Sequence, residues 1–519
     1  MKNLLSCILI TILIGLAGCS VNTTSEKNIV ILVGAKSHPP GQHENIKTAR
    51  LVKIMLDNSS NLSGVHTKLV YNGWPEDETV LDSADLILAF ADGRVRGIHS
   101  NPFILNDHRA EIIQNQMDRG YGLMTFHYTT FAPDAYGEKI LDWTGGYFDW
   151  QPGEKKGEWY SDYIFTTEEV IFPNPDHPVC YGMEPYTYEE EFYFNIRFRE
   201  GDKRLVPIME VPGLETEQEM GKVVAWAVER EDGGRGFGTT IGHHFDNFRN
   251  KNYRKFVLNS IVWAAGMEVP GNGVESQFYS DKEVTKMLYD ADIKGLILTG
   301  HHHPGHPWEE TTPIIQEALE KDERIHIDVS TNINDLAMYT LADYDFLVLN
   351  YCNWEDSAGL SDVAKEAFTS YLREGGGLMI IHFANGAWHY SLPGAETSDW
   401  PEYRKICLRM WDHTAGSAHD AYGPFTVKPT ENSHFITEGV NAFETQDELY
   451  YNQAGDEPIE PLLTALSKNT GKEEPQAWVN MYGEGRIFQT LLGHDGTSFE
   501  AEEYQKVLRR AALWLSGND

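Results

Sequence analysis

An α/β architecture, built as two doubly wound parallel-sheet domains in tandem, is the fold class this sequence predicts. Short uninterrupted apolar runs end in glycine or histidine, the pattern of strands buried on both faces. These runs alternate with helical stretches, as βαβ units do. The whole series is also written twice within 519 residues, a length that accommodates two or three units of ~150 residues.

In the first copy, residues 28–34 (Asn-Ile-Val-Ile-Leu-Val-Gly) read as the opening strand, followed by a His-containing loop and a helical pattern from Asn45. Residues 85–90 and 122–127 are the next strands, the latter ending in His127. The second copy runs through 294–300, a loop, a helical pattern from Thr311, then 345–350 and 377–382, which ends in His382. Later segments match as well. Glu191-Phe192-Tyr193-Phe194-Asn195 pairs with Glu448-Leu449-Tyr450-Tyr451-Asn452, and Ile241-Gly242-His243 with Leu492-Gly493-His494. Arg235 and Trp263 are spaced as Arg486 and Trp514 are, so that segment aligns without a gap. Unrelated strand–helix patterns would not repeat these polar positions, and the period is too long for a solenoid, so this is a domain duplication. Pro270-Gly271-Asn272-Gly273 and the polar stretch after it read as the connector. The expected boundaries are 28–268 for the first domain, 269–290 for the linker and 291–519 for the second.

Residues 1–18 have the organisation of a secretory signal: Lys2, a mostly apolar run over 4–17, then Leu16-Ala17-Gly18-Cys19. The last four resemble the lipobox of bacterial lipoproteins, which implies lipidation of Cys19 and a tether over 19–27. The residues after Cys19 lack an acidic cluster, which favours a lipid-anchored, periplasm-facing position in the cell envelope. The net charge of −36 repels phosphate backbones and argues against nucleic acid as a partner. A 41% hydrophobic composition with 13 Trp and 25 Tyr supports a substantial core and argues against a mostly disordered chain. Beyond the leader, no apolar run reaches the ~18 residues of a membrane span. Cys180, Cys352 and Cys407 show no CxxC spacing and read as packing residues.

Several segments of the second copy resemble the ThuA-like (trehalose-utilisation) family: His306-Pro307-Trp308-Glu309-Glu310-Thr311-Thr312-Pro313, residues 375–382, Trp411-Asp412-His413, residues 447–452, and Gly485-Arg486 through Gly493-His494-Asp495. The first copy resembles it more loosely. The resemblance implies a flavodoxin-like fold similar to class I glutamine amidotransferases. It also implies a place in carbohydrate catabolism, often beside sugar oxidoreductases that make 3-keto-glycosides.

Ligands of open α/β sheets bind outside the carboxyl ends of the strands. His306, Asn353, His382 and His494 each follow a predicted strand of the second copy, and Glu448 lies in a segment able to fold over that edge. His306, His382, Glu448 and His494 are therefore the candidate catalytic residues. The candidates for substrate binding are His413, His419, Trp308, Tyr450 and Asn353. The first copy repeats the set as His43, His127, Glu191 and His243, but residues 145–150 there have no histidines to match the 411–422 loop. Three imidazoles and a carboxylate suit proton transfer at sugar oxygens. They equally suit a divalent metal with an open position, or structural capping of strand ends. Trp354, Trp388 and Tyr451 join Trp308 and Tyr450 as possible stacking platforms for a pyranose or as core aromatics.

A glutamine amidotransferase would need a cysteine at the turn that His382 and His127 occupy. No G-x-S-x-G elbow stands at a strand end, and neither Gly34 nor Gly300 opens the G-x-G-x-x-G of a dinucleotide site. Two functional classes remain. One is a carbohydrate-processing enzyme (hydrolase, lyase or isomerase) working by His/Glu acid–base chemistry on a sugar or keto-glycoside. The other is a non-catalytic carbohydrate-binding or scaffold lipoprotein.

Overall fold

The computed structural model describes residues 26–94, 101–132, 134–149 and 161–519. The leader, Cys19, most of the tether and Trp150 lie outside the described residues. Among the described residues no helix is long and apolar enough to cross a membrane.

Each half is built on one large sheet. In the first, strands Val65–Val70, Lys27–Val33, Leu86–Phe90, Gly122–Phe126, Arg235–Thr239, Val223–Glu229 and Leu205–Glu210 lie side by side in that order. The first five are parallel, with the 2-1-3-4-5 order of flavodoxin-like folds. The second half repeats this with Ile325–Ser330, Ile293–Leu298, Phe346–Leu349, Gly377–Ile381 and Gly485–Thr490. Alternate residues of each strand feed opposite faces. Ile29, Ile31 and Val33 pack under the helices Asn45–Asp57 and Lys251–Ala264, while Val30 and Leu32 meet the helix Asp107–Met117 on the other face. Two buried faces explain why these runs are continuously apolar.

Beyond the fifth strand both sheets turn antiparallel, which refines the all-parallel expectation. Glu473–Tyr482 and Gly485–Thr490 are joined by Gly483-Glu484, too short a link for the crossover that parallel strands need. Gly483 takes the left-handed conformation that this turn demands, at φ 61°. A further hairpin, Gly423–Pro429 with Phe443–Asp447, continues the second sheet through pairing of Val427 with Ala465. Its first-half counterpart, Asp162–Val170 with Tyr186–Phe194, is a separate ribbon joined to its sheet by a bridge between Ile171 and Glu210.

Residues 270–290 belong to neither sheet. They carry the helix Asp281–Tyr289, which starts with a Ser280–Glu283 capping box and sends Val284 into the first-half core. The two halves meet at a buried ionic joint beside this helix. Arg50 donates to both oxygens of Asp328, at 3.2 and 2.7 Å, while Tyr344 donates to the same carboxylate at 3.0 Å. Lys294 pairs with Asp281 at 2.7 Å, Lys47 pairs with Asp343, and Tyr289 stacks on His326. Burial alone would raise the Asp328 carboxyl, but Arg50 and Lys294 hold it well below the usual carboxylate range.

Removing one partner of such a pair strands a buried charge, so Arg50→Ala should lower the unfolding free energy by roughly 3 kcal/mol. The folded-state value of Asp328 is depressed, so its contribution is full above the unfolded carboxyl value of ~3.9 and fades as pH falls below it. Denaturant titrations should therefore show the penalty at neutral pH and its loss in acid; an unchanged penalty at pH ~2 would count against the ion pair as its source.

Candidate functional site

His127 and His382 begin the tight turns that follow the strands Gly122–Phe126 and Gly377–Ile381. Both adopt left-handed backbone, at φ 50° and 47°, a conformation that costs a β-carbon roughly 1–2 kcal/mol. Such strain persists where surrounding contacts over-determine it. Here the contact is a backbone carbonyl: His127 Nδ1–H donates to Thr240 O at 2.7 Å and His382 Nδ1–H to Leu491 O at 2.6 Å. That bond sets the tautomer and turns each bare Nε2 toward the carboxyl edge of the sheet.

The other members arrive from separate elements. His306 lies in the loop before the helix Trp308–Glu320, His494 follows the strand Gly485–Thr490, and Glu448 follows the strand Phe443–Asp447. The four candidates converge, with one donor atom from each within 4.8 Å of the others, and the same holds for His43, His127, Glu191 and His243. In the second half His306 lies edge-on to both His382 and His494, at 4.9 and 4.8 Å between ring centres, and His494 Nδ1 is 3.3 Å from Glu448. In the first half His43 Nε2 is 3.0 Å from both His127 Nε2 and His243 Nδ1, and Glu191 is 2.9 Å from His243.

Electrostatics divide each group. Burial, reinforced by the neighbouring rings, holds His43 and His306 well below the usual imidazole range, and burial lowers His127 and takes His382 to about 3. These rings are neutral at pH 7. For Glu448, burial acts upward but is outweighed by His494, His382 and His419, leaving the carboxyl below its usual value. For His494, burial acts downward and is outweighed by Glu448, which lies 3.3 Å away and raises the imidazole above its usual value.

A pair of buried carboxylates absent from the sequence-derived site set holds the frame. Asp447 accepts from the backbone N–H of Gly493 (2.7 Å), His494 (3.3 Å) and Glu448 (2.7 Å). Glu190 does the same for Gly242 (3.1 Å), His243 (2.9 Å) and Glu191 (2.9 Å). Each thus ties a histidine loop to the strand that carries the neighbouring glutamate. Burial pushes Asp447 up to about 7 and Glu190 up to about 8. The available signal was an acidic residue before the matched glutamate in both copies.

The second-half cluster opens into a cavity of about 220 Å³ whose wall includes Trp354, Phe383, Trp411, His413, His419 and Tyr450. Tyr450 also packs on His382, 4.4 Å between ring centres. His413, His419 and Tyr450 therefore line one cavity. Asn353 does not: it is fully buried, donates to Ser398 and Asp356, and accepts from the Trp388 N–H, so it braces a loop. Trp308 starts its helix and is absent from the cavity wall, and Trp388 is a core residue packed on Trp400 and Tyr403. His303 lies on His306 at 4.3 Å and lines the cavity, while His38 stacks on His43 at 3.5 Å. The His-Pro dipeptide of both loops was the signal. Cys352 lines the cavity too, but burial pushes its thiol up to about 12, so it supplies no thiolate.

A family model described as ThuA, trehalose utilisation, matches residues 30–264 and again 294–515. Among solved structures, a ThuA-like protein from Parabacteroides merdae is 24% identical over 43% of this chain and 90% of its own, with a TM-score of 0.38. A ThuA-like protein from Bacteroides uniformis is 18% identical over 43% of this chain and 91% of its own, with a TM-score of 0.34. A cytoplasmic protein of Salmonella typhimurium LT2 is 14% identical over 43% of this chain and 99% of its own, with a TM-score of 0.32. No curated protein matches.

The left-handed turn makes a ranking testable. Glycine suffers no β-carbon penalty there, so His382→Gly should unfold at a higher denaturant concentration than His382→Ala, by about 1 kcal/mol. The reverse order would show that the turn is not strained.

Proposed function

The chain belongs to the trehalose-utilisation (ThuA) family through both of its halves, and on that premise we propose that it is a carbohydrate-processing enzyme whose working site is the second-half cluster. The observation that carries this reading is the contrast between two matched clusters. Three members, His306, Glu448 and His494, line a cavity together with aromatic and imidazole side chains, and the fourth, His382, is buried against Tyr450 of the same wall. Their first-half counterparts are all buried, with Tyr193 and Phe165 packed against His127 and His243. Trp354, Trp411 and Tyr450 offer flat faces for the C–H surface of a pyranose, and the polar cluster lies beside them to engage its hydroxyl or carbonyl oxygens. The Glu448–His494 pair is the acid–base couple of the set, a carboxylate and an imidazole able to exchange a proton with a sugar oxygen. A sugar or 3-keto-glycoside is the substrate class proposed.

Incubating the purified chain with 3-keto-glycosides and their parent glycosides, with products followed by chromatography, tests this. Conversion is expected, and Glu448→Gln should lower kcat/KM by about 10²-fold or more with little change in the unfolding midpoint. Binding without conversion would reduce the protein to a carbohydrate-binding module, and neither would overturn the reading.

We further propose that the protein is anchored at the cell envelope, facing the periplasm, through lipid on Cys19; support comes from Leu16-Ala17-Gly18-Cys19 and the apolar run before it. Wild-type protein should sediment with membranes and Cys19→Ser should not. Equal solubility of the two would remove the anchor.

A further inference from the structure

We propose that each half binds one divalent transition-metal ion of the zinc class, in a closed site made by His43, His127, His243 and Glu191 and in an open site made by His306, His382, His494 and Glu448. The second ion shares the site of the proposed sugar chemistry, but its presence does not rest on the substrate assignment.

The first argument is the fate of the ring nitrogens. His382 Nδ1–H is committed to Leu491 O, so the neutral ring presents a lone pair at Nε2, which is buried and has no hydrogen-bond partner. His306 Nδ1 is likewise buried without one. Unpartnered polar atoms at this depth cost roughly 1–3 kcal/mol each, and the bare His382 Nε2, turned into the cluster, calls for a ligand. An imidazole whose other N–H is held by a backbone carbonyl is the usual arrangement of a metal-binding histidine.

The second argument is spacing. His43 Nε2 has one hydrogen at most, yet it lies 3.0 Å from both His127 Nε2 and His243 Nδ1. His127 Nε2 is already bare, because Nδ1 donates to Thr240 O. Glu191 stands 2.9 Å from His243 Nδ1 and 3.4 Å from His127 Nε2. Four ligands at zinc distances of ~2.0–2.1 Å sit about 3.3 Å from one another in a tetrahedron, close to the separations seen here. An N₃O set of three imidazoles and a carboxylate suits zinc and its first-row neighbours rather than magnesium or calcium.

The third argument distinguishes the two. His38 stacks on His43, Tyr193 on His127, and Phe165 meets His243 edge-on, so the first set is enclosed, as structural zinc sites are. In the second set Glu448 and His494 border the cavity, leaving one face for water or a sugar oxygen, as in catalytic sites. With an ion in place, Glu448 and the three imidazoles are its ligands, and proton transfer passes to the cavity imidazoles His303, His413 and His419.

The test uses the full-length chain, stripped by chelator and titrated with Zn²⁺ or Co²⁺. Two equivalents should bind, with the visible absorption of imidazole-bound Co²⁺, and the unfolding midpoint should rise. His494→Ala should lose one equivalent and His243→Ala the other, each loss exceeding the roughly 10- to 100-fold effect of an outer-shell change. If a variant fails to fold, the wild-type stoichiometry and Co²⁺ spectrum decide alone. Fewer than two equivalents, or two equivalents that both variants retain, would overturn the proposal. Two bound ions without sugar conversion would leave it standing and remove the enzyme reading; conversion by metal-free protein would do the opposite for the second site.

Discussion

Parallel strands deliver all their carboxyl ends to one edge, and the chemistry of this protein depends on that constraint. His306, His382 and His494 are far apart in the sequence, but each lies just beyond a strand of the same five-stranded parallel core. The edge brings the loops together, and the tight turn at residue 382 does the aiming. Left-handed backbone at His382, with its ring tied to Leu491, leaves the side chain little choice of direction. Glu448 comes from outside the parallel core, so it needs its own anchor. Asp447 supplies one by gathering three backbone N–H groups, two of them from the His494 loop. Acid and base are thereby positioned by one buried carboxylate.

The duplication kept that frame and changed what surrounds it. Both halves retain the strand order, the left-handed histidine, the carbonyl that orients it and the carboxylate clamp. The differences lie at the rim. The first half closes over its cluster with His38, Tyr193 and Phe165, whereas the second places Trp354, Trp411, His413 and His419 around a cavity. Selection for a frame and selection for a pocket act on different residues, and this chain separates them within one molecule.

The parallel core was legible because burial on both faces forces continuous apolar runs such as Ile29-Val30-Ile31-Leu32. The antiparallel extension was not, since a two-residue link like Gly483-Glu484 leaves no trace in hydrophobic periodicity. Three histidines and the glutamate of the cluster were readable as residues that follow strands and recur in both copies. Asn353 and Trp308 satisfied the same positional rule without pointing at the cavity, because position past a strand does not fix which way a side chain turns. His38 is not legible from the sequence because the two loops differ in length, which hides the shared His-Pro step from a gap-free comparison. Glu190 and Asp447 lay beside the matched glutamates, and only their N–H partners, brought from about fifty residues away, reveal what they do.

The hairpin that carries the glutamate is attached differently in the two halves. In the second, Val427, Lys428 and Pro429 pair with Ala465, Thr464 and Leu463, so the ribbon is a continuation of the nine-stranded sheet. Glu448 therefore inherits its place from a ladder that spans the whole domain, and it cannot swing away without unzipping strands. In the first half the ribbon is joined to its sheet by the Ile171–Glu210 bridge, so Glu191 depends on local packing over the cluster for its position. The open site is thus braced by its scaffold and the closed one by its cover: preorganisation in the second half is architectural, and access can be granted there without loosening the glutamate.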